Sequence, residues 1–224
     1  MERREAAGTR RIRVAPGSLP ATVRLRGGAI VIRRVEPADT LALQQFFRDL
    51  SPASRYRRFL RVVRELPEDL LARFTHPDPA REAVLVASLP HSPARIVGMA
   101  QFAGDVDADG SEVAVVVGDA WQRQGLGGQL MDALLNVAIA AGIERLHADI
   151  LADNYAMRRL AQNFGFEFVA HPAGPFLVRA EKMLARELAG TDAFRYQKIV
   201  SAPLRPKALP LTVAEQPPRA EAGL

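Results

Sequence analysis

Gln122-Arg123-Gln124-Gly125-Leu126-Gly127-Gly128 lies between an apolar run at 113–118 and a long amphipathic segment at 129–141. A strand that feeds a glycine-rich turn, which then opens a helix, makes an anion site. Backbone N–H groups without intrahelical partners converge there, and the helix dipole adds positive potential. Glycine lets the backbone approach a phosphate closely and accepts positive φ. Arg123 and Gln124 bring further donors. The loop is therefore read as the seat of a phosphorylated cofactor.

Two familiar phosphate loops do not fit these letters. The triphosphate loop G-x-x-x-x-G-K-[ST] is absent, and the dinucleotide fingerprint G-x-G-x-x-G begins at Gly125 and Gly127 but meets Leu130 where its third glycine belongs. The acidic residue that closes a dinucleotide unit should end the following strand, whereas Glu144 precedes it. The pattern that fits is Q-x-x-G-x-G, met by Gln122, Gly125 and Gly127. Downstream, Asn154-Tyr155-Ala156-Met157 leads to Asn163-Phe164-Gly165-Phe166. With these two ordered blocks, and a helix, loop and strand between them, the chain resembles the GNAT superfamily of acyl-CoA N-acyltransferases. Four further blocks narrow the resemblance: Leu50-Ser51-Pro52-Ala53-Ser54-Arg55-Tyr56-Arg57-Arg58-Phe59, Arg81-Glu82-Ala83-Val84-Leu85-Val86-Ala87, Ser111-Glu112-Val113-Ala114-Val115-Val116-Val117 and Asp119-Ala120-Trp121-Gln122. They are similar to the acetyltransferase domain of bacterial protein-lysine acetyltransferases.

A chain of 224 residues with 48% hydrophobic content can bury one good core and leave tails. No apolar run is long enough to cross a membrane, and the arginines at 3, 4, 10 and 11 are not followed by a signal core. The absence of cysteine removes disulfides, thiolate metal sites and a cysteine nucleophile, and fits a cytoplasmic location. The four histidines, at 76, 91, 147 and 171, lack metal-ligand spacing, so no metal is expected. Net charge is +5, and lysine occurs only at 182, 198 and 207. That balance suits an anionic partner, but no zinc-finger, RNP-type or repeat pattern supports nucleic-acid binding.

Along the chain, residues 1–21 read as a flexible arm, 22–188 as the acetyltransferase domain and 189–224 as a Pro-rich, largely disordered tail. A hairpin is expected at 23–25 and 29–34 around Gly27-Gly28. Helices are expected at 37–50, 52–63 and 67–75, and strands at 83–88, 95–102 and 111–117, the last two joined by a turn at 105–110. Then follow a helix at 125–141 ended by Gly142, a strand at 145–151, a helix at 154–164 and strands at 166–170 and 176–179. A helix near 181–188 closes the domain. Short connections before the glycine loop and helical ones after it argue for an α/β chain. Its central sheet is mixed and mostly antiparallel, twisted, with helices on both faces.

The resemblance implies transfer of an acetyl group from acetyl-CoA to an amine. A lysine with pKa near ~10.4 costs about 4.6 kcal/mol to deprotonate at pH 7, so a base within reach is required. The residues alone read Glu112 as a solvated glutamate at a strand start; the resemblance makes it the general base. Val115, Val116 and Val117 are core β-branched residues by composition. The resemblance implies that their strand is splayed, with backbone groups that pair with the pantetheine arm and one N–H that polarises the thioester carbonyl. Gln122, Arg123, Gln124, Gly125, Leu126, Gly127 and Gly128 would hold the pyrophosphate. Asn154 reads as a helix cap and, by resemblance, as a cofactor contact, with Met157 beside the CoA arm. Many members of the superfamily carry a general-acid tyrosine four residues before the glycine of the GF pair; here that position is Ala161. Three alternatives remain open on the sequence: a small-molecule amine acetyltransferase, an acetyl-CoA sensor without turnover, and an arginine-rich nucleic-acid binder.

Overall fold

The computed structural model describes residues 19–104 and 110–184. Its elements are β1 (Ala21–Leu25), β2 (Gly28–Arg34), α1 (Thr40–Asp49), α2 (Pro52–Phe59), α3 (Glu68–Thr75), β3 (Glu82–Leu89), β4 (Ser92–Gly104) and β5 (Ser111–Val117). After these come α4 (Leu126–Ala140), β6 (Arg145–Leu151), α5 (Tyr155–Asn163), β7 (Glu167–Ala170) and β8 (Leu177–Met183). The strands form one sheet in the order β1-β2-β3-β4-β5-β6-β8-β7. Every neighbouring pair is antiparallel except β5 with β6, which matches the mixed, mostly antiparallel sheet that the sequence predicts.

Side-chain alternation in β3 shows why both faces need cover. Ala83, Leu85 and Ala87 point into a core with Leu126, Leu130, Met131 and Leu134 of α4. Val84 and Val86 point the opposite way, into a core with Leu43, Phe46 and Phe47 of α1 and Leu71 and Phe74 of α3. A strand buried on both faces reads as a continuous apolar run, as Ala83-Val84-Leu85-Val86-Ala87 does. Gly98 in β4 lets α4 lie close to the sheet: a Cβ there would stand 3.0 Å from Leu130 Cδ1 and 3.4 Å from Leu126 Cδ2.

Several expectations are corrected. The helix expected at 52–63 stops at Phe59, because Leu60 turns left-handed (φ 54) and donates back to the Tyr56 carbonyl. The helix expected at 37–50 begins as a single 3-10 turn over Pro37–Asp39. Residues 181–183, assigned to a closing helix, belong to β8, where Arg145↔Met183 through Leu151↔Leu177 pair along the whole of β6. Ala21, assigned to the arm, is the first residue of β1. The rest of the arm, most of the turn at 105–110, residues 185–188 of that helix and the Pro-rich tail lie outside the described residues.

Candidate functional site

β5 and β6 part company almost at once. Their register holds only Ser111↔Leu146 and Glu112↔His147, so from Val113 onward β5 has no paired strand on that side among the described residues. On its other side β5 pairs with β4 as far as Val117↔Gly98, and the Gly118 N–H donates to the Val97 carbonyl at 2.9 Å. Antiparallel ladders alternate, so that bond fixes the phase. Val116 turns its N–H and C=O toward β4, and Val115 and Val117 turn theirs into the gap between β5 and β6. The splay expected from the resemblance is present. Of the three valines, Val115 and Val117 offer backbone to an extended ligand, while the Val116 side chain joins the α1–α3 core.

The loop beyond β5 ends in a helix start capped by glycine. Gly125 caps α4 at φ 93, a left-handed conformation, and no side chain caps the helix. The N–H groups of Leu126 and Gly127 have no carbonyl one turn behind them. The Gly128 and Gln129 N–H groups both donate to the Gly125 carbonyl. A Cβ at Gly125 or Gly128 would meet nothing within 4 Å, so the space in front of the loop is open. Arg123 is also left-handed (φ 57).

Not every expected side chain faces a ligand. Leu126 is fully buried in the main core, leaving only its amide. The Gln124 amide nitrogen donates to the Ala120 carbonyl, and its oxygen packs against the hairpin at Gly27. Gln122 donates to the Val117 carbonyl at 3.1 Å and to Ser54 Oγ at 3.2 Å, so it bridges the end of β5 and the start of α2. The Asn154 side chain caps α5 by accepting from the Met157 N–H at 3.2 Å. Met157 packs, partly buried, on the main core, and Ala161 lies within that core at 1% exposure.

Glu112 sits at the last paired position of the splay, on the face that carries α1–α3. Three elements surround it: Arg58 from α2, His147 beside it in β6, and Arg179 and Glu181 from β8. The Arg58 guanidinium lies over Phe59 at 4.6 Å and near Phe74 at 5.8 Å. Burial pushes Arg58 down to about 10, and the Glu112 charge partly opposes that shift; it therefore stays cationic at neutral pH beside the glutamate.

A second network was not legible in the sequence. Asp119, just after β5, accepts from the Ser51 N–H (2.8 Å), the Ser51 hydroxyl (2.8 Å) and the Ser54 hydroxyl (2.7 Å). With Gln122 on Ser54, the cofactor loop and the N-terminus of α2 become one hydrogen-bonded unit. Burial disfavours charge on Asp119, but the bonds from Ser51 and Ser54 outweigh it and hold the carboxyl below its usual range. Replacing Asp119 with Ala leaves these donors without their acceptor, at a cost of about 1–3 kcal/mol. Thermal unfolding should show a drop of several degrees, and calorimetry a weaker acetyl-CoA affinity through the displaced Gln122. Unchanged affinity would mean that the loop does not depend on this tie.

On β6, Asp149 receives Arg179 through Nε (2.8 Å) and Nη2 (2.9 Å), with His171 Nε2 at 3.0 Å. The Ala173 N–H donates to His171 Nδ1, which leaves Nε2 as the ring nitrogen that faces Asp149. Burial again opposes the charge, and Arg179 and His171 overcome it, so Asp149 titrates below the usual carboxylate. Asp39, held by Arg33 at 2.7 Å through both oxygens, behaves alike. The sign follows: these depressed carboxyls bind fewer protons in the folded chain than in the unfolded one. Their stabilisation is complete above the unfolded value near ~3.9 and is lost as pH falls through the folded values. Melting temperature should fall with acidification below about pH 4, and Asp149→Asn should flatten that descent. An equally steep descent in the variant would remove Asp149 from the account.

The structure thus brings together a gap between two strands, a helix N-terminus with open space before it, and a carboxylate at the head of the gap. The chain matches the acetyltransferase (GNAT) family over residues 43–166, and it belongs to that family. It is 32% identical over 142 residues to the acetyltransferase PA5475 of Pseudomonas aeruginosa, an alignment that covers 62% of this chain and 76% of that protein. It is 31% identical over 173 residues to the acetyltransferase Pat of Mycolicibacterium smegmatis, covering 76% of this chain and 51% of that one, so it spans about half of that relative. The GNAT domain of S. lividans PAT has the same fold, with a TM-score of 0.66 at 27% identity over 73% of this chain and 96% of that structure. The chain is thus an acyl-CoA-dependent N-acetyltransferase that uses acetyl-CoA. No described helix is long and apolar enough to cross a membrane.

Proposed function

We propose that the chain transfers acetyl from acetyl-CoA to a protein lysine by direct attack, with Glu112 as general base. The observation that carries this reading is the β5–β6 splay, which ends at Glu112. In this reading the pyrophosphate rests on the amides of Gly125, Leu126 and Gly127, beside Arg123. The pantetheine arm lies along Val115 and Val117, which brings the thioester toward Glu112. An N–H in that gap stabilises the oxyanion as the tetrahedral intermediate forms. Glu112 takes the proton of the attacking amine, directly or through water; the C–S bond then breaks, and CoA leaves as thiolate. A thiol pKa near ~8.5 makes that a good leaving group. The step therefore needs no tyrosine at Ala161, and the buried alanine supports that economy.

The acceptor face supports a polypeptide acceptor. Between α2 and the end of β6 lies a groove of ≈ 510 Å³, with Tyr56, Arg57, Leu151, Asp153 and Phe176 among its walls. It is open at the surface, with Tyr56 at 43% and Phe176 at 49% exposure. The similarity of Leu50–Phe59 and its companion blocks to protein-lysine acetyltransferase domains supports the same acceptor. The test is CoA release and intact-mass shift on a panel of lysine-bearing proteins and free amines. Acetylated protein lysines sustain the reading; acetylation of free amines alone would replace it with a small-molecule acetyltransferase.

A further inference from the structure

Helix α2 ends in a concentration of arginine. Arg55, Arg57 and Arg58 lie on it; the left-handed turn at Leu60 then sends Arg61 and Arg64 back past its end. Of these, Arg58 is turned inward toward Glu112 and the Phe59 ring. Arg57, Arg61 and Arg64 are exposed, and none of them has a carboxylate partner among the described residues. The nearby Glu65 is taken by Arg48 at 2.7 Å. Tyr56 stands between two hollows: the groove toward β6, walled by Arg57 and Asp153, and a smaller one walled by Arg55, Val62 and Arg64. Val62 is 85% exposed.

Resting on the protein-lysine reading above, we infer that this rim selects acceptor segments in which the target lysine is flanked by acidic side chains. The charge pattern has two parts. Asp153 is the carboxylate among the residues that wall the inner groove; it lies six residues beyond His147, the β6 partner of Glu112, so it attracts the lysine to the groove and does not hold it at the reaction centre. Arg57 on the groove's α2 wall and Arg61 and Arg64 beyond the end of that helix meet aspartates and glutamates on either side of that lysine, while Tyr56 and Val62 pack the segment between. A polyanion such as RNA fits this arrangement less well, because Asp153 repels a phosphate chain where it welcomes a lysine. Exposed ion pairs are individually weak and screened by salt, and a few together amount to about tenfold in selectivity.

The test compares peptides of equal length that carry one central lysine with Asp/Glu, Ser/Ala or Arg on both sides. Acetylation by the full chain is followed by mass spectrometry at 50 mM and 500 mM salt. The expected order in kcat/KM is acidic, neutral, basic, with a spread of about tenfold that shrinks at high salt. In Arg57→Glu/Arg61→Glu the order inverts, while the dissociation constant of acetyl-CoA stays unchanged. Equal rates for the three peptides, a preference for basic flanks, or the same order in the variant would overturn the inference and leave the protein-lysine reading standing. Acetylation of a free amine but of no peptide and no protein would instead overturn that reading, and the inference with it. Salt dependence in the wild type gives an independent answer where the double variant folds poorly.

Discussion

Glu112→Gln should lower the turnover of acetyl transfer on the order of 10²–10⁴-fold, the range expected on loss of a positioned general base. The substitution keeps the size of the side chain and its place at the last paired position of β5. It removes the capacity to accept the amine proton. Nothing in the cofactor loop or in the gap beside Val115 and Val117 changes, so acetyl-CoA should bind as in the wild type. The charge on Glu112 faces Arg58 and Arg179; its removal leaves Arg58 buried without the opposing charge, so a modest loss of melting temperature accompanies the loss of rate. At high pH, where the lysine deprotonates by itself, the gap between variant and wild type should narrow. Steady-state kinetics from pH 7 to 10, with calorimetric acetyl-CoA affinity, measure all three. Wild-type turnover in the variant would remove Glu112 from the chemistry.

Gly128→Asp should do the opposite: keep the fold and abolish the cofactor site. A Cβ at Gly128 meets nothing within 4 Å, and the first turn of α4 carries no acidic side chain. A carboxylate there interacts favourably with the helix dipole, and aspartate is a better helix residue than glycine. Melting temperature should therefore hold or rise. The pyrophosphate would meet a like charge in front of the amides that hold it, a juxtaposition that costs several kcal/mol. Acetyl-CoA affinity should fall at least about 100-fold, equivalent to about 2.8 kcal/mol. Asparagine at the same position tests the cause, since it fills the same space without the charge and should lose much less. A variant that binds acetyl-CoA normally would place the pyrophosphate elsewhere.

Strands and helices that declare themselves by local pattern were legible in the sequence. The strands at 111–117 and 145–151 keep their expected bounds, and Gly142 ends α4 in a left-handed turn (φ 76). Misreadings arose where a distant partner decides. Glu181, Lys182 and Met183 are good helix formers taken one by one, yet β6 draws them into β8 because pairing along the whole strand satisfies its edge. The helix expected at 52–63 ends at Phe59 because Leu60 turns left-handed, and a leucine carries no local signal for that turn.

The cofactor loop was visible as letters because glycine spacing and a helix start are local features. Which valines face the gap was not, since the phase of β5 is set by its pairing with β4. The ties from Asp119 to Ser51 and Ser54, across 68 and 65 positions, were hidden for the same reason. Ser51 caps α2, and only the fold shows that Ser51 and Ser54 also hold the loop after β5 through Asp119.

A crystal structure of the chain with acetyl-CoA tests the central claim most directly. The account predicts the pantetheine arm in the gap between β5 and β6, hydrogen-bonded to the backbone of Val115 and Val117. It also predicts the pyrophosphate on the amides of Gly125, Leu126 and Gly127, and the thioester within one water of Glu112. Acetyl-CoA bound outside that gap, or with its thioester turned away from Glu112, would contradict it.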